Sequence, residues 1–198
     1  MEAMKKAPGI LAVMIALLAF VAPATAEEAG SGFTADFIAD FERVGGRLAE
    51  LAGAVPADKF SWAPSDEVRT VSQVYVHAVF VNTFLPVALG AAPPEGFSMP
   101  EGSNPMALMK EWEEKITDKD EVIAKLNESF EYAAKAIPTI TDLETTVETF
   151  GFPGTKRAYL LILLTHAHEH LGQSIAYARS IGVVPPWSQA QADGEGDG

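Results

Sequence analysis

The sequence predicts an all-α protein that folds as a single four-helix bundle. Apolar residues recur every three or four positions in four long stretches, which is the spacing that gives a helix one apolar face. Proline or glycine follows the end of each stretch and is typical of a helix terminus. Only residues 144–149 alternate weakly in the manner of a strand, and we predict no sheet from them. Packing four helices against one another is then the way to bury the apolar residues.

The first long helix is predicted at about residues 33–54, where Pro56 ends it. A pair of glycines, Gly45 and Gly46, weakens this helix slightly. Its apolar face is made of seven residues at helical spacing: Phe33, Phe37, Phe41, Val44, Leu48, Leu51 and Val55. We interpret this face as part of the core.

The second helix begins with a capping box, in which Thr70 is the N-cap and Gln73 is the N3 residue. It runs to about Leu89 and carries His77. Because it is apolar nearly all round, we expect it to lie deep in the fold.

A long connection follows, from about residue 90 to residue 118, and it is rich in proline, glycine and methionine. Asn104 and Pro105 match an N-cap followed by proline at the first helical position, which predicts a short helix at about 105–115. The connection is long enough to run back along a helix of about 30 Å, which would leave its flanking helices parallel. A lid or insert on an antiparallel pair is the alternative.

The third long helix is predicted at about 119–137, where Pro138 stops it. A second long connection, from Thr139 to Gly154, leads to the fourth helix at about 156–180. Thr155 is a candidate N-cap for that last helix, and Gly182 follows its end.

Both ends of the chain are predicted to lie outside the bundle. Two lysines, an apolar run from Ile10 to Val21 and the small residues Ala24 and Ala26 together indicate a secretory signal peptide at residues 1–26. The bundle would then span residues 27–188, and residues 189–198 would form a disordered acidic tail. We therefore expect a periplasmic or secreted protein, with a retained N-terminal anchor as the alternative.

Composition excludes several classes of function. The chain contains no cysteine, so it has neither disulfides nor thiolate ligands, and any metal site must use nitrogen and oxygen. A formal net charge of −13 argues against nucleic acid and against anionic membranes as partners. After cleavage of the signal peptide we expect no stable membrane insertion.

The chemistry of the chain is concentrated in its four histidines, three of which lie within residues 166–170. On a helix, His166 and His170 fall about 40° apart on one face, whereas His168 points to roughly the opposite side. Two imidazoles at this spacing can bind one metal ion, and His77 on another apolar helix could supply a third ligand. Polar side chains at the bundle surface and a core histidine are the alternative interpretation.

A rival motif overlaps the same residues. The order His166, Glu169, His170 also fits the inverted zinc-protease pattern His-x-x-Glu-His, with Glu169 as general base. That pattern requires an acidic third ligand well downstream, where only the acidic tail lies. A peptidase is therefore the weaker interpretation.

The sequence resembles the DinB-like superfamily of metal-binding four-helix bundles over most of residues 33–187. Trp62 and Pro64, then Thr70 and Val71, then His77 resemble the family's entry to its second helix. The segment from His166 through His170 to Gly172-Gln173 is similar to its His-x-x-x-His-x-Gly-Gln motif, and residues 179–186 are similar to the usual exit from that helix.

This resemblance implies an up-down-down-up bundle in which His77, His166 and His170 hold a divalent ion such as zinc or nickel. Some members of the family are thiol-dependent transferases or isomerases. We therefore expect an exported metal-binding protein, either a metal-dependent enzyme of the transferase or hydrolase type or a non-catalytic metal-binding or stress-related bundle. A small-molecule substrate and a homodimer are the expected partners, whereas no catalytic residue is assigned. Gln173 could bond a bound ligand or another helix, and Tyr177 is expected to pack.

Overall fold

A computed structural model of the chain describes residues 26–100 and 102–189. The predicted acidic tail, apart from Gln189, and the predicted signal peptide, apart from its last residue, lie outside this part. The described part is all-α except for one small hairpin, which confirms the predicted fold class. The helices are α1 (Ala26–Ala54), α2 (Val71–Ala88), α3 (Pro105–Lys115), α4 (Lys119–Ala136) and α5 (Lys156–Ser180), and the strands are β1 (Thr146–Thr149) and β2 (Phe152–Thr155).

The start of the first helix differs from the prediction. We expected helix from about residue 33 and a polar linker before it, whereas α1 begins at Ala26. Apolar spacing marks only the part of a helix that packs against the core, and in this chain that part begins at Phe33. The residues before Phe33 carry no such apolar spacing, so the sequence pattern did not indicate helix there.

The prediction that the chain forms no sheet was also wrong. Strands β1 and β2 form an antiparallel hairpin in which Thr146 pairs with Thr155. The two turn residues, Phe150 and Gly151, both have positive φ angles, of 54° and 82°. That pair of angles is what the tight turn of a two-residue hairpin requires. The second strand contains proline and glycine, which are depleted in strands, so the sequence pattern did not indicate it.

Contacts between α1 and α5 show that these two helices run in the same direction. Phe33 near the start of α1 lies 5.1 Å from the Arg157 guanidinium at the start of α5. Further along, Asp40 contacts His168, and Arg47 lies 4.5 Å above the ring of Trp187, which follows α5.

The helices α2 and α4 run the opposite way. Lys119 at the start of α4 donates to the carbonyl oxygen of Val55 just beyond the end of α1, so α1 and α4 are antiparallel. Asn82 of α2 bonds Ser129 of α4, and further along Tyr132 bonds the carbonyl oxygen of Ala92, so α2 and α4 are parallel. These directions agree with the expected up-down-down-up order. The long connection thus runs back along the bundle and carries α3 with it.

The central helix is α2, which is buried along most of its length. Its length and mean hydropathy of 1.3 would also suit a membrane span, but 78% of it is buried inside the bundle. It therefore serves as a core helix, as predicted, and a polar side chain on it must find its partners inside the protein.

Candidate metal centre

The helix start places His77 near one end of α2, at its contact with α5. The predicted capping box is present: the Thr70 hydroxyl accepts from the backbone N–H of Gln73, and the Gln73 side chain accepts from the backbone N–H of Thr70. From this start, His77 lies in the second turn of α2 and faces α5, with 13% of its side chain exposed. The polar ring is thus held at a helix contact rather than at the surface.

The other two histidines come from successive turns of α5, whose predicted N-cap, Thr155, accepts from the backbone N–H of Ala158. The Nε2 atom of His166 lies 2.9 Å from Nε2 of His77 and 3.0 Å from Nε2 of His170. All three ligand atoms fall within 4.8 Å of one another. The structure therefore brings together the three histidines that the sequence singled out, and this cluster could hold a metal ion.

His168 lies between His166 and His170 in the sequence, but its side chain is not near the other histidines in the structure. Its Nε2 atom lies 2.8 Å from a carboxylate oxygen of Asp40 on α1, and 41% of its side chain is exposed. The hydrogen bond from His168, with one from Arg43, holds the pKa of Asp40 below its ordinary value. His168 thus links two helices at the surface, and it points away from the other two as helical geometry predicts.

Sequence reasoning missed Glu113, a residue of α3 that is only 7% exposed. One carboxylate oxygen accepts from Nδ1 of His77 at 3.0 Å and from Nε of Arg69 at 2.9 Å. Burial alone would raise the pKa of this carboxyl, but the bond from His77 and the charge of Arg69 hold it below its ordinary value. A signal was present, because Glu113 lies four residues after the buried Met109 and therefore shares its face.

On the other side of the cluster, Gln173 contacts His170. Its Oε1 atom accepts from Nδ1 of His170 at 2.9 Å, and its Nε2 donates to the hydroxyl of Tyr177 at 3.2 Å. Tyr177 also packs edge-on against Trp62, with 5.6 Å between ring centroids. Gln173 therefore contacts a histidine rather than a distant helix, and Tyr177 packs as predicted.

These partners set which nitrogen of each ring carries the proton. A carboxylate and an amide oxygen can only accept, so Nδ1 of His77 and Nδ1 of His170 must each be the N–H donor. The Nε2 atoms of both neutral rings are therefore unprotonated, and both face Nε2 of His166. Two lone pairs converge on one atom of the third ring.

His166 cannot satisfy this arrangement with its single proton. A proton on Nε2 could be donated well to one neighbour only, and it would leave Nδ1, which is buried without a partner among the described residues, as a bare acceptor. A proton on Nδ1 would leave three lone pairs facing one another. Burial, and then the charges of His170 and His77, lower the pKa of His166 to about 3, so added protons are not a solution near neutral pH.

A divalent cation resolves the arrangement, because it accepts all three lone pairs at once. Zinc lies about 2.0–2.1 Å from each imidazole nitrogen, so two such nitrogens on one tetrahedral ion are about 3.3–3.4 Å apart. The observed separations of 2.9 and 3.0 Å are about 0.4 Å shorter, so the rings lie near the positions that would bind zinc but would have to move slightly apart. The donor set therefore fits a metal ion.

A cavity of about 280 Å³ lies beside Glu113 and is lined otherwise by hydroxyl, amide and carboxylate side chains. None of the three histidines belongs to its wall. Glu169, the general base of the rival peptidase pattern, is exposed and shows no hydrogen bond to the cluster. The peptidase interpretation thus receives no support from this geometry.

Comparisons with known proteins agree with the fold. A DinB-like protein from Bacillus cereus ATCC 10987 is similar in structure, with a TM-score of 0.60 and 16% identity over 76% of this chain and 93% of that chain. A conserved protein from Enterococcus faecalis gives a TM-score of 0.54 and 14% identity over 74% of this chain and 95% of that one. A comparison with curated proteins gives no match. The sequence profile of the DinB superfamily matches residues 40–174, which include all three clustered histidines, and the chain therefore belongs to the DinB superfamily.

Proposed function

We propose that this protein binds one divalent metal ion through the Nε2 atoms of His77, His166 and His170. The observation that supports the proposal is the convergence of three ring nitrogens while Glu113 and Gln173 hold the protons of two rings on the far side. Zinc or nickel suits a set of imidazole ligands, and the chain has no cysteine that would favour a softer ion.

The residues around the histidines have distinct tasks in this proposal. Glu113 accepts the Nδ1 proton of His77, orients that ring and increases its basicity, and Arg69 keeps the carboxylate charged. Gln173 orients His170 in the same way, without a charge. When bound, the ion would supply Lewis acidity and would lower the pKa of a bound water molecule.

A metal-dependent enzyme of the transferase or hydrolase type, acting on a small molecule, is the activity that we propose for this centre. Three protein ligands are the number found in catalytic zinc sites, whereas structural zinc sites have four. One observation favours a second candidate, a non-catalytic metal-binding bundle: the cavity beside Glu113 does not include the histidines. A water molecule that exchanges on the bound metal would support the enzyme, and a closed coordination shell would support the second candidate.

The four histidines provide the test of the metal site. Zinc and nickel content per chain is measured on the purified protein and on the variants His77→Ala, His166→Ala, His170→Ala and His168→Ala. We expect about one ion per chain in the parent and in the His168 variant, because His168 bonds Asp40 instead. Each of the other three variants should lose nearly all metal at micromolar protein concentration.

The same measurement has a clear opposite outcome. Adventitious chelation by a histidine-rich surface would make His168 as important as its neighbours, and it would make His77 irrelevant. Loss of metal in His168→Ala together with full metal content in His77→Ala would refute the proposed site.

A further inference from the structure

A second cavity, of about 300 Å³, lies between α2, α3, α4 and the connection that follows α2. No histidine lines it, so it is separate from the candidate metal centre. Three aromatic residues contribute to its wall: Phe97, Trp112 and Tyr132. The Phe97 and Trp112 rings are nearly perpendicular, at 87°, with centroids 5.9 Å apart, and Phe97 is buried. The faces of aromatic rings carry partial negative charge and attract cations.

The hydroxyl groups in the wall offer oxygen lone pairs rather than protons. Thr83 donates its hydroxyl proton to the carbonyl oxygen of Val79, at 2.8 Å. Ser129 donates to the carbonyl of Leu126 at 2.8 Å, and Tyr132 donates to the carbonyl of Ala92 at 2.9 Å. Because a hydroxyl has one proton, each of these groups can only accept a hydrogen bond from a ligand.

A buried amide behind the wall adds a further hydrogen-bond acceptor that has no donor. Asn82 is fully buried and donates to the oxygen of Ser129, while its own Oδ1 atom has no hydrogen-bond partner among the described residues. The surroundings of Ser129 therefore contain more acceptors than donors. A ligand that brings N–H groups or a positive charge would correct the imbalance.

The charged residues at this cavity point to the same class of ligand. Glu95 and Glu128 contribute two carboxylates, whereas Lys125 contributes one ammonium group. The local balance is negative, as is the whole chain at −13, so cations are attracted and anions repelled. Apart from Lys125, the indole N–H of Trp112 is the side-chain donor among these wall residues.

We propose that this cavity binds a small organic ammonium cation with an apolar body. The aromatic side chains would contact the body and the positive charge, and the hydroxyl oxygens and the carboxylates of Glu95 and Glu128 would surround the ammonium group. An anion of similar shape would lose these interactions and face two carboxylates. This site does not depend on the proposed metal ion.

The test compares three ligands of similar shape and different charge: benzylammonium, benzyl alcohol and benzoate. Each is titrated into the full protein by calorimetry, and two-dimensional NMR follows the indole signal of Trp112, which a Trp112→Phe variant assigns. We expect saturable binding of benzylammonium with a shift of that signal, and at least about tenfold weaker binding of the other two.

Matched variants locate the cation. Glu128→Gln and Glu95→Gln should each weaken benzylammonium roughly twofold to fivefold, which is the effect of an exposed charge pair. Glu42→Gln makes the same charge change on α1, which does not line the cavity, and should have no effect, while Lys125→Gln should strengthen binding. His166→Ala should leave the affinity unchanged, because the ligand does not coordinate the metal.

Four results would overturn the proposal. Equal affinity for benzylammonium and benzyl alcohol would show that charge does not matter, and equal losses in Glu42→Gln and Glu128→Gln would show attraction to net charge alone. Loss of binding in His166→Ala would place the amine at the metal centre instead. If the indole signal of Trp112 did not shift at saturating benzylammonium, this cavity would be excluded as the binding site.

Discussion

The carboxylate of Glu113 lies 3.0 Å from Nδ1 of His77, so a short helix within a long connection sets the protonation of a histidine on the central helix. The two residues are 36 positions apart in sequence. The connection that carries α3 is thus part of the candidate metal centre, although it supplies none of the three histidines.

Replacing Glu113 should weaken metal binding without unfolding the protein. The variant Glu113→Gln keeps the shape and one acceptor but removes the negative charge, so zinc affinity should fall about tenfold or more. Competition with a chromophoric chelator measures the affinity, and circular dichroism checks the fold. Glu114→Gln, at the next and largely exposed residue, is the control and should bind zinc as the parent does. Equal affinities for both variants would exclude the positioning role.

The metal-free protein should lose stability as the pH falls below about 6.5. Burial lowers the pKa of His166 from 6.5 to about 3, so the unfolded chain takes up the proton first. The contribution of His166 is fully present above pH 6.5 and is lost between about 6.5 and about 3, with a slope of at most about 1.4 kcal/mol per pH unit. Urea unfolding at several pH values measures this slope for the parent and for His166→Gln. The free energy of unfolding should depend less steeply on pH in the variant than in the parent. Equal slopes in the two proteins would contradict the lowered pKa of His166.

Two neighbouring glycines of α1 should respond oppositely to substitution by alanine. A Cβ atom at Gly45 would lie 2.6 Å from the ring of Phe130. That ring packs against Phe41, with 4.6 Å between the two ring centroids. Gly45→Ala should therefore destabilise the protein by about 1–3 kcal/mol. At Gly46 a Cβ atom would meet nothing within 4 Å, so Gly46→Ala should stabilise by up to about 1 kcal/mol. Thermal or urea unfolding of both variants measures the difference, and a stabilised Gly45→Ala protein would contradict the packing.

We propose that the protein is exported and that its mature form begins at Glu27. We propose cleavage after Ala26, because Ala24 and Ala26 are small enough for the pockets that recognise such sites. N-terminal sequencing or intact mass of the protein recovered from the periplasm or the medium checks this position. Exported protein that retained Met1 or Met4 would show the proposal to be wrong.

Local sequence determined most of the helix ends. Thr70 with Gln73, Asn104 with Pro105, and Thr155 all act as the predicted caps, because a cap depends on residues within one turn of the chain. The same short range explains why the spacing of His166 and His170 predicted a shared face and separated His168 from it.

The tertiary structure decided what depends on distant parts of the chain. The sequence by itself could nominate His77 as a third ligand through a family resemblance, but only the antiparallel packing of α2 against α5 brings its Nε2 atom within 2.9 Å of His166. The sequence could place Glu113 on the same face as Met109, but its contact with His77 depends on where a long connection folds back. Periodicity and capping are interactions along one helix, whereas the orientation and protonation of these rings depend on contacts between helices.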